Sequence, residues 1–226
     1  MLRALIFDFD GLMIDTESAL IDAYAAVHAR HGVEFDRGLF LRSVGHADYA
    51  FDPWHAFEKR ADRAELELER KTLNREFDQQ LELLPGVLAL LDAARGAGLP
   101  LGVASNSRHP HVEGHLSRLG LLERFQAISC RDDVASPKPE PDVYRHAMNR
   151  LGVPPSFGAA FEDSHTGVVA ARRAGLYAVA VPNRSTAHHD FSMADWRLAS
   201  LADCSLTALQ ARWKARAGAA ADRPGP

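Results

Sequence analysis

Two aspartates, Asp8 and Asp10, directly follow a short apolar run at the start of the chain, and Gly11 comes after them. Ser105 and Asn106 follow a second such run, Glu162 and Asp163 end a third, and Lys138 stands in the loop Ser136-Pro137-Lys138-Pro139-Glu140-Pro141-Asp142. In an open parallel sheet, ligands sit beyond the carboxyl ends of the strands, so these polar residues are expected to converge there. Carboxylates gathered in this way repel each other: a pair about 4 Å apart costs on the order of 4 kcal/mol at an effective dielectric near 20. A bound cation removes that cost. An all-oxygen donor set favours a hard ion, and magnesium keeps open positions suited to a phosphate oxygen. Lys138 and the amides around Ser105 and Asn106 are then placed to hold the other phosphoryl oxygens. The chemistry expected is phosphoryl transfer.

The elements that must position these residues can be read from the apolar pattern. Ala4 to Phe7, Leu101 to Ala104, Ala159 to Phe161 and Tyr177 to Val181 read as buried parallel strands, with Ala127 to Ser129 a weaker fifth. Between them lie helical spacings such as Val87, Leu90, Leu91, Ala94 and Val168, Ala171, Ala174, punctuated by Gly and Pro. Strand and helix alternate, which predicts an α/β fold, a doubly wound parallel sheet. The interval 17–82 breaks the rhythm: it lacks strands and carries long helical patterns, with a charged stretch from Glu58 to Arg75 that reads as a solvated helix face. The expected organisation is a core of residues 1–16 and 83–226 with a helical domain inserted at 17–82. The Ala, Gly and Pro-rich tail from Ala211 reads as a frayed terminus.

Composition narrows the function classes. With 226 residues, 26 basic and 30 acidic side chains and a formal charge of −4, the chain offers no global positive field for nucleic acid or an anionic membrane. A small diffusible substrate is the simpler expectation. Cys130 and Cys204 are too few and too far apart for a zinc ribbon or a disulfide framework and read as reduced thiols. The apolar start is cut short by aspartates, unlike a secretory signal, and no apolar stretch approaches a membrane span, so a cytoplasmic location is expected.

Four segments together carry a family resemblance: Phe7-Asp8-Phe9-Asp10-Gly11 through Asp15-Thr16-Glu17; Ala104-Ser105-Asn106-Ser107; Lys138-Pro139-Glu140-Pro141-Asp142-Val143-Tyr144; and Phe161-Glu162-Asp163-Ser164 followed by Gly167, Ala170, Ala171, Ala174 and Gly175. Their order and spacing resemble the haloacid dehalogenase superfamily, in its phosphatase and beta-phosphoglucomutase-like branch, which has a Rossmann-like core and an inserted α-helical cap. The resemblance implies that Asp8 attacks phosphorus to give an aspartyl-phosphate, and that Asp10 protonates the leaving alcohol and then activates water. It implies Asp8, Asp163 and the Asp10 carbonyl as magnesium ligands, with Glu162 either a further ligand or an acceptor for metal-bound water. Ser105, Asn106 and Lys138 would bind the phosphoryl group. Arg42 and His46, in Arg42-Ser43-Val44-Gly45-His46-Ala47-Asp48, stand where the family places its substrate-facing cap loop, and one of them is expected to contact the leaving group.

Within the family Asp10 argues against carbon–halogen cleavage, because dehalogenases lack an aspartate there. A phosphosugar mutase uses the same core. Mutases typically carry a histidine ten residues after the acid/base aspartate, where this chain has Leu20, so hydrolysis of a small phosphorylated metabolite leads. A protein that binds such a metabolite without turnover is the alternative of another class. Cap lysines Lys59 and Lys71 lie in the charged stretch and read as solvated. His111 and His115, four apart after Pro110, read as residues of a helix start rather than metal ligands, and His188-His189 as solvent-facing.

Overall fold

The computed structural model describes residues 1–43, 52–57 and 60–221. Among these residues, six parallel strands form one sheet in the order β3-β2-β1-β4-β5-β6. The strands are β1 (Ala4–Phe7), β2 (Leu101–Ala104), β3 (Ala127–Ser129), β4 (Gly158–Glu162), β5 (Tyr177–Ala180) and β6 (Trp196–Arg197). All four residues of β1 are buried, because strands sit on both sides of it and helices cover both faces. Alternation along β1 assigns its side chains to two cores: Leu5 and Phe7 pack with Val87, Leu91, Val112 and Val179, while Ala4 and Ile6 pack with Val143, Met148, Val168 and Leu176.

The helices are α1 (Thr16–Arg30), α2 (Arg37–Ser43), α3 (Arg63–Asp78), α4 (Val87–Gly96), α5 (His109–Arg118), α6 (Asp142–Arg150), α7 (His165–Ala174) and α8 (Leu206–Ala221). The alternating arrangement predicted from the sequence is thus present, with β6 as an unforeseen strand. Its two residues are too short a run to signal a strand, and their pairing with Val179 and Ala180 comes from the fold. The expected frayed tail is a correction. α8 extends to Ala221, and Leu209 and Trp213 on it are buried in the first core, so a composition that reads as loose is ordered by one apolar stripe.

Helices α1 and α3, with the turn that carries Trp54 and Phe57, share a third cluster, in which Ala23, Val27, Trp54, Phe57, Leu66 and Leu73 pack together. α1 and α3 are each started by an aspartate: Asp15 accepts from the Ser18 N–H at 3.0 Å and Asp62 from the Ala64 N–H at 2.8 Å. The charged stretch is a solvated face for Lys71, 56% exposed, while Leu66 and Leu73 on the same helix are buried. The chain enters and leaves this helical segment at one place. Ile14 bridges antiparallel to Leu83, and the Leu84 N–H donates to the Met13 carbonyl at 2.9 Å.

Candidate active site

The order β2-β1-β4 at the centre of the sheet aims the carboxyl ends of three strands at one crevice. Asp8 sits at the end of β1, where its N–H donates to the Phe161 carbonyl at 3.0 Å. Lys138 reaches into the crevice from the loop before α6. Its ammonium donates to Asp8 Oδ1 at 2.5 Å, Glu162 Oε1 at 2.6 Å and the Ala104 carbonyl at 2.8 Å, and its side chain is 4% exposed. A solvated loop lysine would do none of this. Burial works against the Lys138 charge, but Asp8 and Glu162 outweigh it and hold the ammonium above its usual range.

Asp8, Glu162 and Asp163 each offer a carboxylate oxygen, and these oxygens lie within 4.8 Å of one another. Burial pushes the Asp8 carboxyl up to about 8; Lys138 opposes this and Glu162 adds to it. Burial, then the charges of Asp8, Glu162 and Glu17, raise Asp163 well above the usual carboxylate range. Three buried carboxylates against one ammonium leave an excess of negative charge when all are ionised. The donors are all oxygen, so the residues fit a hard divalent cation.

Asp163 is not spent as a helix cap. Ser164 fills that role at the start of α7, accepting from the Gly167 N–H at 3.2 Å. Asp163 instead accepts from the Asn183 amide at 2.8 Å, and the same amide nitrogen lies 3.0 Å from the Gly11 carbonyl. Gly11 has φ +78°, and a Cβ there would come within 2.5 Å of Asp163 Oδ2 and 2.6 Å of Asn183 Nδ2. The glycine therefore serves both the turn and the approach of the carboxylate.

Glu162 differs from Asp163 in having both oxygens engaged. Oε1 accepts from Lys138 and from the Tyr144 hydroxyl, and Oε2 from the Ser164 hydroxyl at 3.2 Å. Its carboxyl lies against Gly167, where a Cβ would be 1.9 Å away. Of the two roles expected for it, direct ligand or supporting acceptor, this engagement fits the supporting one. The Asn106 side chain reaches the Lys138 backbone, accepting from the N–H at 2.9 Å, so it clasps the lysine loop. Ser105 is buried, and its Oγ accepts from the Ser107 N–H at 2.9 Å and lies 3.4 Å from Asp10 Oδ2.

Asp10 is the most heavily hydrogen-bonded of the carboxylates. Oδ1 accepts from the Thr16 hydroxyl at 2.9 Å and the His111 Nε2–H at 2.8 Å, and Oδ2 from the Ser107 hydroxyl at 2.6 Å. Burial pushes Asp10 up, but the hydrogen bond and charge of His111, with the two hydroxyls, hold it below its usual value. His111 is raised in turn, first by that hydrogen bond.

His46 lies outside the described residues, as does Lys59, and of Arg42 only the helical backbone in α2 is described. Sequence reasoning gave no role to His111, Ser107, Thr16, Tyr144 or Asn183. Asn183 could have been found, since it follows the run ending at Val181 as Asp8 follows the first. Tyr144 gives no such sign, because only the packing of α6 brings its hydroxyl to Glu162 at the end of β4. α5 does begin at His109 with Pro110 in its first turn, as expected, yet the start of that helix aims His111 at Asp10. Both cysteines are free thiols, and among the described residues no helix is long and apolar enough to cross a membrane.

Comparison with known proteins agrees with this geometry. Residues 2–175 match the haloacid dehalogenase-like hydrolase family. Protein YhcW of Bacillus subtilis (strain 168) is 39% identical over 213 residues, covering 92% of this chain and 96% of that protein. Hexitol phosphatase B of Escherichia coli (strain K12) is 32% identical over 213 residues, covering 88% and 93%. The crystal structure of CbbY from Rhodobacter sphaeroides in complex with phosphate superposes with a TM-score of 0.72 at 30% identity, covering 93% of this chain and 100% of that one. The chain therefore belongs to the haloacid dehalogenase-like hydrolases, in their phosphatase and beta-phosphoglucomutase-like branch.

Proposed function

We propose that the protein is a magnesium-dependent phosphatase that hydrolyses a small phosphorylated metabolite, of the sugar or polyol phosphate type, through an aspartyl-phosphate on Asp8. The observation that carries this reading is the buried Asp8–Lys138–Glu162 array beside Asp163, with Asp10 held separately two residues along. The named activity of hexitol phosphatase B and the phosphate bound by CbbY support the substrate class.

Asp8, Asp163 and the Asp10 carbonyl would hold magnesium, with Glu162 bracing the site. When bound, the ion offsets the carboxylate charge and that of a phosphate oxygen. In the first step an Asp8 oxygen attacks phosphorus in line. The bond to the leaving oxygen breaks, its electron pair stays on that oxygen, and Asp10 supplies the proton. Lys138 lies on Asp8 Oδ1, so it limits repulsion between the nucleophile and the incoming dianion and remains to balance the phosphoryl oxygens. Ser105 and backbone amides after β2 border the same space. In the second step Asp10, now a carboxylate, takes a proton from water, water oxygen bonds to phosphorus, and the bond to Asp8 breaks.

In this reading the helical segment 17–82 is a cap that closes over the crevice, with hinges at 15–17 and 83–86, where the two connecting stretches pair through Ile14 and Leu83. One of Arg42 and His46 would contact the leaving group, as the resemblance implies.

Release of phosphate from p-nitrophenyl phosphate, with and without magnesium, tests the reaction. A panel of hexitol, hexose, pentose and glycerol phosphates then tests the substrate class. Magnesium-dependent release is expected. No release from any ester would overturn the phosphatase reading in favour of binding without turnover, and isomerisation of β-glucose 1-phosphate without release would make the protein a mutase.

A further inference from the structure

We propose that His111 is a positioning residue for Asp10, fixing the plane of its carboxyl group so that the other oxygen is presented to the leaving group. The inference rests on the phosphatase reading above and adds a residue to it. The contact is direct, with Nε2 at 2.8 Å from Oδ1, and the two residues are 101 positions apart in the chain.

The ring is itself held. Phe9 meets it edge-on with centroids 6.0 Å apart at 89°, and His115, one turn along α5, packs at 4.8 Å and 70°. Phe9 is fully buried between the two catalytic-pair aspartates in sequence, so the backbone that carries Asp10 also carries one wall of the imidazole's seat. The other donors to Asp10 are hydroxyls, those of Thr16, Ser107 and, at 3.4 Å, Ser105. A hydroxyl can turn from donor to acceptor as the carboxyl takes up or gives away a proton, so it satisfies both states and fixes neither. An imidazole packed against two rings has no acceptor-for-donor turn of this kind at its N–H, and the packing favours one direction for it through the cycle. Asp10 must act once as acid and once as base, and a carboxyl free to rotate about its last bond loses part of the alignment that proton transfer needs.

The inference makes a claim about one half-reaction. Departure of the leaving group is the step in which Asp10 donates, and kcat/KM reports steps up to that departure. p-Nitrophenolate leaves readily without a proton, whereas phenolate has greater need of one. The experiment therefore measures kcat/KM for p-nitrophenyl phosphate and phenyl phosphate with the wild type and with His111→Ala, His111→Leu and His111→Gln.

Leu keeps bulk without a donor, and Gln can place an amide N–H on the same oxygen. For His111→Ala and His111→Leu the loss on phenyl phosphate should exceed that on p-nitrophenyl phosphate by about tenfold or more. His111→Gln should recover most of that difference. If Ala fails to fold, judged by circular dichroism, the Leu and Gln pair carries the comparison. Equal losses on both esters, no loss on either, or a Gln variant that behaves like Leu would overturn the inference while leaving the phosphatase reading in place. A wild type that hydrolyses neither ester overturns that reading instead, and this inference with it.

Discussion

Asp8 and Asp10 are two residues apart and have opposite surroundings. Asp8 shares a buried pocket with Glu162 and Asp163 and has one ammonium; Asp10 has an imidazole and three hydroxyls. Asp8→Asn should lower phosphate release by at least about a thousandfold, because no carboxylate remains to attack, with an unchanged circular dichroism spectrum. Near-normal activity would mean the nucleophile is misassigned. Gly167→Ala sets two effects against each other. In a helix the change ordinarily stabilises by about 0.5–1 kcal/mol, but here the new Cβ would fall 1.9 Å from the Glu162 carboxyl. The overlap should win, destabilising by about 1–3 kcal/mol in urea denaturation and lowering kcat through the displaced Glu162–Lys138 pair.

At the scale of elements, short strands deliver the chemistry and helices lock it. Trp213 is the test for α8. It packs 6.2 Å from Phe157 by ring centroids and is 8% exposed, so Trp213→Ala should cost about 3 kcal/mol of unfolding free energy. A cost near zero would restore the frayed tail. Arg118, at the end of α5, donates to the carbonyls of Gln79 at 3.2 Å and Leu81 at 2.7 Å, tying the stretch that returns from α3 to the core. Arg118→Ala should speed amide exchange at Leu81 and Leu84 and raise KM several-fold with less effect on kcat, since the reacting groups keep their own contacts. Unchanged exchange there would remove the arginine from any part in the hinge.

For the whole molecule the buried charge links folding to pH and to metal. In metal-free protein Asp8 and Asp163 have raised pKa values, Asp8 to about 8, so the folded state holds more protons than the unfolded one above the ordinary Asp value of 3.8. Stability then falls as pH rises from that value towards about 8, since its slope follows the protons bound unfolded minus those bound folded. Thermal denaturation in EDTA across this window should show the decline. Magnesium at about a hundred times its Kd should add about 2.7 kcal/mol at neutral pH. Asp163→Asn should raise the metal-free midpoint and abolish the magnesium increment; a magnesium increment that survives would place the ion elsewhere.

The linear sequence determined the parallel core and the residues at its strand ends, because buried strands must be apolar throughout and the polar residue after each one must face the crevice. Asp8, Asp10, Ser105, Glu162 and Asp163 were legible on that ground, and their convergence needed only strand order; Lys138, in a loop nine residues past β3, was legible only through its motif. What each of them touches was decided by tertiary structure. Lys138 is clasped by Asn106, Glu162 is engaged on both oxygens under Gly167, and His111 reaches Asp10 from 101 positions away. Such contacts depend on which helix face meets which strand end, and residue type and spacing leave no periodic trace of them. The tail shows the same limit. Its small residues looked loose until Leu209 and Trp213 found an apolar face to cover, and packing, rather than composition, ordered the helix.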